Sequence, residues 1–271
     1  MRTLVHLSDL HFGRIDPALL QPLTDEVAQI APDLIVVSGD LTQRARSAQF
    51  RQARAFLDSL PAPRLVVPGN HDVPLHNLWA RMFRPLEKYR RYISDDLEPC
   101  FADDEIVVLG LNSARSLTIK NGRINQRQLE QVRSRLLRLP TDRVKVVVTH
   151  HPVDLPLERA DKDLVGRAQL AMETFAACGI DLLLAGHLHW GDTGSTAARY
   201  AIPGHSAIVV HAGTATSTRG RGQANSFNVI AIEPNAISVE RRSWDVTSRS
   251  FRFAAPQRFA LSNGEWRRRE D

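Results

Sequence analysis

Asn70, His71 and Asp72 stand in a row at the end of Val67-Pro-Gly-Asn-His-Asp72, directly after an apolar run at 65–67. Three such side chains cannot all be core residues, and Gly69 lets the backbone turn sharply before them. An amide oxygen, an imidazole and a carboxylate are thereby presented at one strand end. Four other apolar runs end the same way: 3–7 before Asp9-x-His11, 34–37 before Gly39-Asp40, 144–148 before His150 and His151, and 180–184 before His187 and His189. Imidazoles, carboxylates and an amide oxygen without a thiolate suit Mn, Fe, Zn, Co or Ni rather than Ca or Mg alone. The groups suffice for two ions, and one shared carboxylate would hold them ~3.5–4 Å apart, the spacing of two-metal hydrolytic sites.

Two cations that share a water lower its pKa, so that hydroxide exists at neutral pH. The same ions bind phosphoryl oxygens and neutralise the charge that develops when phosphorus is attacked in line by the bridging hydroxide. The leaving oxygen then needs a proton, which an imidazole near the metals but not bound to them can give. His71, beside Asn70 and followed by Asp72 as an orienting carboxylate, suits that role. Taken singly, the pieces are ordinary: Gly-Asp is a common turn, and His150 and His151 cannot both face one way on a strand. It is the recurrence of the pattern at five strand ends that points to a metal site.

Such residues need elements that bring them together. Helical spacing covers 19–30, with Leu19, Leu20, Leu23, Val27 and Ile30 on one face. Helices are also expected over 46–60, 77–92, 125–139 (stopped by Pro140) and 167–178. Strands that end in polar turns and alternate with helices predict a layered α/β fold. Beyond residue 190 the pattern changes to successive strands, at 206–211, 227–233, 236–243 and 249–254, expected as antiparallel additions. The charged, aperiodic stretch 153–166 reads as a long loop of the kind that forms lids. The expected organisation is one domain over 1–260 and a frayed tail over 261–271.

Composition limits the alternatives. The 271 residues are 43% hydrophobic and 24% charged, with net charge +5 and pI about 9.7, ordinary for a globular protein. The basic residues are mostly arginine spread along the chain, with one dense run, Arg267-Arg268-Arg269, answered by Glu270 and Asp271. Two distant cysteines, Cys100 and Cys178, make neither a disulfide framework nor a thiolate zinc site. No apolar segment of signal-peptide length precedes Asp9 and none approaches a membrane span, so a soluble, cytoplasmic chain is expected.

Asp9-x-His11, Gly39-Asp40, Gly69-Asn70-His71-Asp72, His150-x-Pro152 and Gly186-His187-x-His189, in this order, resemble the five blocks of the calcineurin-like metallophosphoesterase superfamily over residues 1 to about 190. The resemblance implies a four-layer α/β/β/α sandwich of two mixed sheets flanked by helices, with two divalent or mixed-valence transition metals (Mn, Fe or Zn). It implies one metal held by Asp9, His11, Asp40 and His189 and the other by Asp40, Asn70, His150 and His187, with Asp40 bridging and His71 a non-ligand near the leaving group. It selects His150 over His151, because the family block is His-x-Pro. His6, His76, His205 and His211 match no block and read as structural or surface residues.

His6-Leu-Ser-Asp-Leu-His11 and Leu184-Ala-Gly-His-Leu-His189 are similar to the bacterial class III cyclic-nucleotide phosphodiesterase group. The expectation is a metal-dependent hydrolase of a small phosphodiester, a cyclic nucleotide first. Glycerophosphodiesters, phospholipids and nucleotide-lipid pyrophosphates come second, and a metal-dependent nuclease third, without a dedicated nucleic-acid module. Analogy with the same group allows a homodimer. Arg14, Arg44 and Arg115 follow block-bearing strands and are candidates to contact a phosphate, and the segments 153–166 and 190–205 are where substrate choice would lie. The sequence itself assigns no substrate-binding residue.

Overall fold

The computed structural model describes residues 1–118, 120–136, 138, 142–159, 161–220 and 222–269. Its elements in chain order are β1 (Arg2–Leu7), α1 (Leu20–Ile30), β2 (Leu34–Val37), α2 (Ser47–Ser59), β3 (Arg64–Val66), α3 (Leu78–Phe83), α4 (Glu87–Tyr92), β4 (Cys100–Ala102), β5 (Ile106–Gly110) and α5 (Gln126–Leu136). There follow β6 (Val144–Val148), α6 (Ala168–Ala177), β7 (Leu182–Ala185), β8 (Asp192–Ser195), β9 (Ile208–His211), β10 (Ser226–Glu233), β11 (Ala236–Asp245), β12 (Ser250–Phe253), β13 (Gln257–Ser262) and β14 (Glu265–Arg268). One sheet has the order β14-β13-β11-β10-β1-β2-β3, with β12 also on β11; the other runs β4-β5-β6-β7-β9-β8. Both are mixed: β1, β2 and β3 are parallel, as are β5, β6, β7 and β9.

The strand period of two divides the apolar residues between faces. Leu4, Leu34 and Val36 of the first sheet pack against Val146, Val148, Leu182 and Leu184 of the second in one shared core. Their neighbours in sequence, Val5, Leu7, Ile35 and Val37, face the other way, onto Leu23 and Val27 of α1 and Phe50 and Phe56 of α2. Val107, Val147 and Leu183 likewise face Leu129 and Val132 of α5 and Met172 and Phe175 of α6. The result is the four-layer α/β/β/α sandwich. Strands buried on both faces explain why these runs are continuous Val, Ile and Leu rather than alternating.

Several expectations need correction. The helix expected over 77–92 is two short ones. Pro85 lacks an N–H and pushes Arg84 out of the helical region, to φ −143 and ψ 53. The strand near 206–211 is not antiparallel to its sheet neighbour β7 but pairs with it in parallel, Leu182 opposite Ile208. The short edge strands β4 and β8 had no sequence signal long enough to mark them. For the helix expected to end at Pro140, the structure shows Gln126–Leu136, while 137 and 139–141 lie outside the described residues. Ala160 of the expected 153–166 loop and Glu270 and Asp271 of the expected tail also lie outside them.

The frayed tail is the largest correction. β13 pairs with β11, and β14 returns on β13 through Asn263-Gly264, the dipeptide favoured in tight hairpins. Trp266 is buried in the core between the sheets, and its indole N–H donates to Asp181 Oδ1 at 2.9 Å. The hairpin thus closes one end of the inter-sheet core. Trp266→Ala should cost about 3–5 kcal/mol, the range for truncating a buried aromatic. Urea denaturation checks this, and a loss near zero would restore the dispensable tail.

Candidate active site

Because the two sheets pack face to face, the carboxyl ends of β1, β2 and β3 lie against those of β6 and β7. The segments that leave these strands are fixed to one another by backbone. Asp9 N–H donates to the Gly39 carbonyl at 3.1 Å and His11 N–H to the Asp40 carbonyl at 2.9 Å. Across the sheets, His187 N–H donates to Asp9 Oδ2 at 2.9 Å, and the Ser8 hydroxyl donates to the same oxygen at 2.7 Å. Asp9, His11, Asp40, His187 and His189 all have positive φ, between 51° and 72°. Asp and His tolerate this left-handed region better than most residues, but each such position still costs ~1–3 kcal/mol.

Four of the sequence-predicted residues form a first group: the ligand atoms of Asp9, His11, Asp40 and His189 all lie within 4.8 Å of one another. Asp9 Oδ1 is 3.1 Å from His189 Nε2 and 3.4 Å from His11 Nε2. Those two nitrogens are 3.0 Å apart. In a second group, His150 Nε2 and His187 Nδ1 are each 3.1 Å from Asn70 Oδ1 and 3.3 Å from each other. Asp40 lies between the groups, with Oδ2 3.7 Å from His11 Nε2 and Oδ1 3.4 Å from His150 Nε2.

His151 lies near His150 and His187, but both its ring nitrogens are engaged. Nδ1 accepts from the Ser113 hydroxyl at 2.8 Å and Nε2 donates to the Lys120 carbonyl at 3.0 Å. Burial and the neighbouring His150 and His187 keep it neutral, well below the ordinary histidine range. It therefore supports the site from outside, and proximity alone does not make it a ligand.

The tautomers favour metal binding. His150 Nδ1 donates to the Ser38 carbonyl at 2.8 Å, and His189 Nδ1 to the Arg219 carbonyl at 3.1 Å. Each ring thus commits Nδ1 to a carbonyl and aims Nε2 inward, where it could bind a metal on giving up its proton. Asp9 Oδ1 is buried with no hydrogen-bond partner among the described residues, a costly state for an anionic oxygen unless a cation faces it. Burial opposes ionisation of Asp9 and Asp40, yet both carboxyls are held below their usual range. His189, His11 and His150 do this for Asp9, and His150, His71 and His11 for Asp40. Burial also opposes charge on His150, but Asp40 outweighs it and pushes the imidazole up to about 9. The carboxylates draw positive charge into the space between the rings, and the donor set fits two divalent metals.

His71 lies at the edge of this space. Its backbone N–H donates to Asp40 Oδ1 at 2.8 Å, and its ring Nδ1 donates to the Gln43 carbonyl at 2.9 Å. The Gln43 carbonyl, not Asp72, orients the ring. Asp72 instead accepts from the N–H groups of Leu41, Thr42 and Gly69 and from the Thr42 hydroxyl. Burial, then Asp40, push Asp72 up to about 7, but four donors need an acceptor, and its role is to tie the 69–72 turn to the 41–42 turn. Burial keeps His71 itself below the ordinary histidine range.

His71 Nε2 accepts from Arg219 Nη1 at 2.9 Å. Sequence reading missed Arg219, which sits in an irregular stretch far from any block, and it missed the threonines beside it. Thr214 Oγ1 donates to the Asp9 carbonyl and Thr216 Oγ1 to the Leu10 carbonyl, each at 2.8 Å. Beside His71 is a cavity of about 140 Å³ lined by Gln43, Arg44, Asn70, Val73, Leu75 and Lys120. Arg44 is thus placed at the site. Arg115 is not: it donates to the Asn112 and Ala114 carbonyls and to Gln128. Larger cavities lie around α4 and around Gly179, and one of about 410 Å³ shares Lys120 with the cavity beside His71. The 153–166 loop is no free lid, because Arg199 binds Asp154, Asp161 and the Leu155 carbonyl, and Tyr200 binds the Val153 carbonyl. His6 and His211 are buried away from the metal-binding groups, on the Ser38 hydroxyl and the Asp154 carbonyl.

Among known proteins, the chain is 26% identical over 162 residues to a probable glycerophosphodiester phosphodiesterase, GpdQ, of Arcobacter nitrofigilis, covering 58% of this chain and 57% of that protein. It is 26% identical over 163 residues to the 3',5'-cyclic adenosine monophosphate phosphodiesterase CpdA of Escherichia coli, covering 58% of this chain and 54% of that one. A cAMP/cGMP dual specificity phosphodiesterase of Mycobacterium tuberculosis aligns over 268 residues at 24% identity, 86% of this chain and 77% of its own. The chain therefore spans little more than half the length of the first two. Among solved structures, a purple acid phosphatase from yellow lupin (Lupinus luteus) superposes with TM-score 0.71 at 11% identity, over 96% of this chain and 53% of its own. A dimetal phosphatase from Danio rerio superposes with TM-score 0.65 at 15% identity, over 93% and 98%. At these identities the superpositions establish the fold alone. Residues 2–191 match the calcineurin-like phosphoesterase family, and the chain belongs to that family.

Proposed function

We propose that the protein is a two-metal phosphodiesterase acting on a small phosphodiester, with Asp9, His11, Asp40 and His189 holding one ion and Asp40, Asn70, His150 and His187 the other. The observation that carries this reading is the position of Asp40, whose two oxygens face the two groups separately, Oδ2 toward His11 and Oδ1 toward His150. Nitrogen and oxygen donors without sulfur suit Mn, Fe or Zn. Ions bound there would supply Lewis acidity toward the phosphoryl oxygens and lower the pKa of a shared water. The chain's own residues do the rest. The backbone N–H of His71 fixes the shared carboxylate. Its ring, held by Gln43, keeps Nε2 at the edge of the site, where that atom would first take up a proton, in place of accepting from Arg219, and then pass it to a leaving oxygen. Arg219 brings a permanent positive charge to the same atom.

A cyclic nucleotide is the first substrate, supported by the likeness to the cyclic-nucleotide phosphodiesterases of Escherichia coli and Mycobacterium tuberculosis. The cavity beside His71 is smaller than the ~300–1,000 Å³ that encloses a whole drug-sized ligand. It would take one substituent of the phosphate and leave the remainder against Arg44 and Lys120 at its rim. That size equally suits a glycerophosphodiester, the second reading, which the likeness to the GpdQ protein supports. One assay panel with added Mn decides: cyclic AMP, a glycerophosphodiester, a nucleotide-sugar-lipid pyrophosphate and single-stranded DNA. Cyclic AMP should give the highest kcat/KM, and preferential degradation of the DNA would replace the small-diester reading with a nuclease.

Two variants test the roles. Asp40→Ala should lose both metals, read by elemental analysis, together with activity, and full turnover in that variant would exclude a shared ligand. His71→Ala should keep both metals and lose about 10²–10⁴ in kcat, the span of general acid–base contributions. The loss should grow as the leaving group becomes poorer. An equal loss across a series of aryl and alkyl diesters would remove His71 from proton transfer.

A further inference from the structure

The six-residue helix α3 exposes nearly all of its apolar surface. Leu78 is 69% exposed, Trp79 59%, Met82 60% and Phe83 67%. Large apolar groups scattered singly over a surface need no explanation, but a contiguous set does. Here Trp79 and Phe83 have ring centroids 5.6 Å apart. The orientation of the helix is fixed from below. Arg81, its buried member, donates to the Pro74 carbonyl at 3.0 Å and to the Thr118 carbonyl at 2.6 Å. With the polar residue pulled inward, the apolar ones are turned outward, an inversion of ordinary helix amphipathicity. Leu117, next to the Thr118 anchor, is also exposed.

The surrounding charge says what covers this face. Apart from the buried Arg81, residues 77–92 contain Arg84, Lys88, Arg90 and Arg91 against one acidic residue, Glu87, which pairs with Arg84 at 3.2 Å. Arg84 lies over the Trp79 ring at 5.4 Å, and Arg90 and Arg91 are exposed on α4. A second copy of the chain would bring these arginines against their own symmetry mates, because a two-fold contact uses the same patch on both sides. Like charges so placed oppose association. A layer of anionic headgroups above an apolar interior complements both features at once, with aromatic and aliphatic side chains below and arginines at the headgroup level.

We infer that α3 docks the protein on anionic lipid surfaces, inserting Trp79, Met82 and Phe83 while Arg84, Arg90 and Arg91 meet the headgroup phosphates. The anchor on Thr118 places α3 two residues in sequence from Lys120, which lines the cavity beside His71. The inference stands on surface chemistry and not on the phosphodiesterase reading, and its deciding readout is vesicle binding, with turnover serving only as a check on folding.

The test is co-sedimentation of the metal-loaded full chain with vesicles of equal parts phosphatidylglycerol and phosphatidylcholine, against phosphatidylcholine alone. The anionic vesicles should retain about tenfold more protein or better, with retention falling as salt rises. The triple variant Trp79→Ser, Met82→Ser, Phe83→Ser should lose that retention while hydrolysing soluble bis(4-nitrophenyl) phosphate as before. In the unsubstituted protein, brominated phosphatidylglycerol should quench a tryptophan signal that Trp79→Phe removes, which keeps the test intact if the triple variant misfolds. Equal pelleting on both vesicle types, unchanged retention in the triple variant, or no quenching would overturn the inference. So would light scattering that shows a dimer dissolved by the triple variant but untouched by vesicles, which would make a second copy the occupant.

Discussion

The two-sheet architecture converges on one carboxylate. Asp40 leaves β2, the strand between β1 and β3, and its side chain stands where the histidines of both sheets can reach it. Its oxygens are not free to rotate, because the N–H of His71 holds Oδ1 at 2.8 Å. The room it occupies exists only because Gly69 has no side chain: a Cβ there would lie 2.2 Å from Asp40 Oδ1 and 2.3 Å from Asp40 N. Gly186 plays the same part for Asp9, since a Cβ on it would fall 1.8 Å from Ser8 Oγ, the hydroxyl that steadies Asp9 Oδ2. The glycines of the sequence blocks are thus steric requirements of the carboxylates they flank.

The backbone leaves the strands abruptly. Residues two apart share a face on a strand, so extended backbone alone would aim Asp9 and His11 the same way. The chain instead enters the site through left-handed backbone. Asp9, His11, Asp40, His187 and His189 each adopt that conformation, and the accumulated cost, ~1–3 kcal/mol at each, must be offset by the structure around them. Here the offset is visible as cross-links: Thr214 and Thr216 hydroxyls on the carbonyls of Asp9 and Leu10, Asp72 on three backbone N–H groups, and His150 on the Ser38 carbonyl. In a site built this way, removing a hydroxyl that touches only backbone acts on the placement of Asp9.

What the sequence made legible follows from these physics. Strand ends were readable because fully buried strands are unbroken apolar runs, and a polar residue after one has few places to go. The four layers, by contrast, came from resemblance, since periodicity shows that a strand has two apolar faces without showing which sheet covers which. The break between α3 and α4 was readable in Pro85 but was overridden by the aromatic-rich pattern around it. The tail hairpin had a usable signal in Asn263-Gly264, set between stretches too short to stand out. Asp72 misled because sequence adjacency to His71 suggested a contact that the tight turn prevents, and the Gln43 carbonyl took its place. Backbone partners of that kind have no sequence signature.

Arg219 marks where the family pattern ends and this chain begins. The matched residues stop at 191, yet the stretch that follows closes over the site from the far side. The Arg219 carbonyl orients His189, its guanidinium meets His71, and Thr214 and Thr216 brace β1's exit. The blocks supply the groups gathered around Asp40, a donor set of a kind shared by phosphoesterases that differ in substrate. Groups facing the substituents of phosphorus must come from elsewhere. Those this structure offers are Arg44 and Lys120 on one side and the 214–219 segment on the other. On the proposed two-metal reading, substrate choice would therefore fall to residues that carry no family motif, and the blocks alone would leave the substrate open.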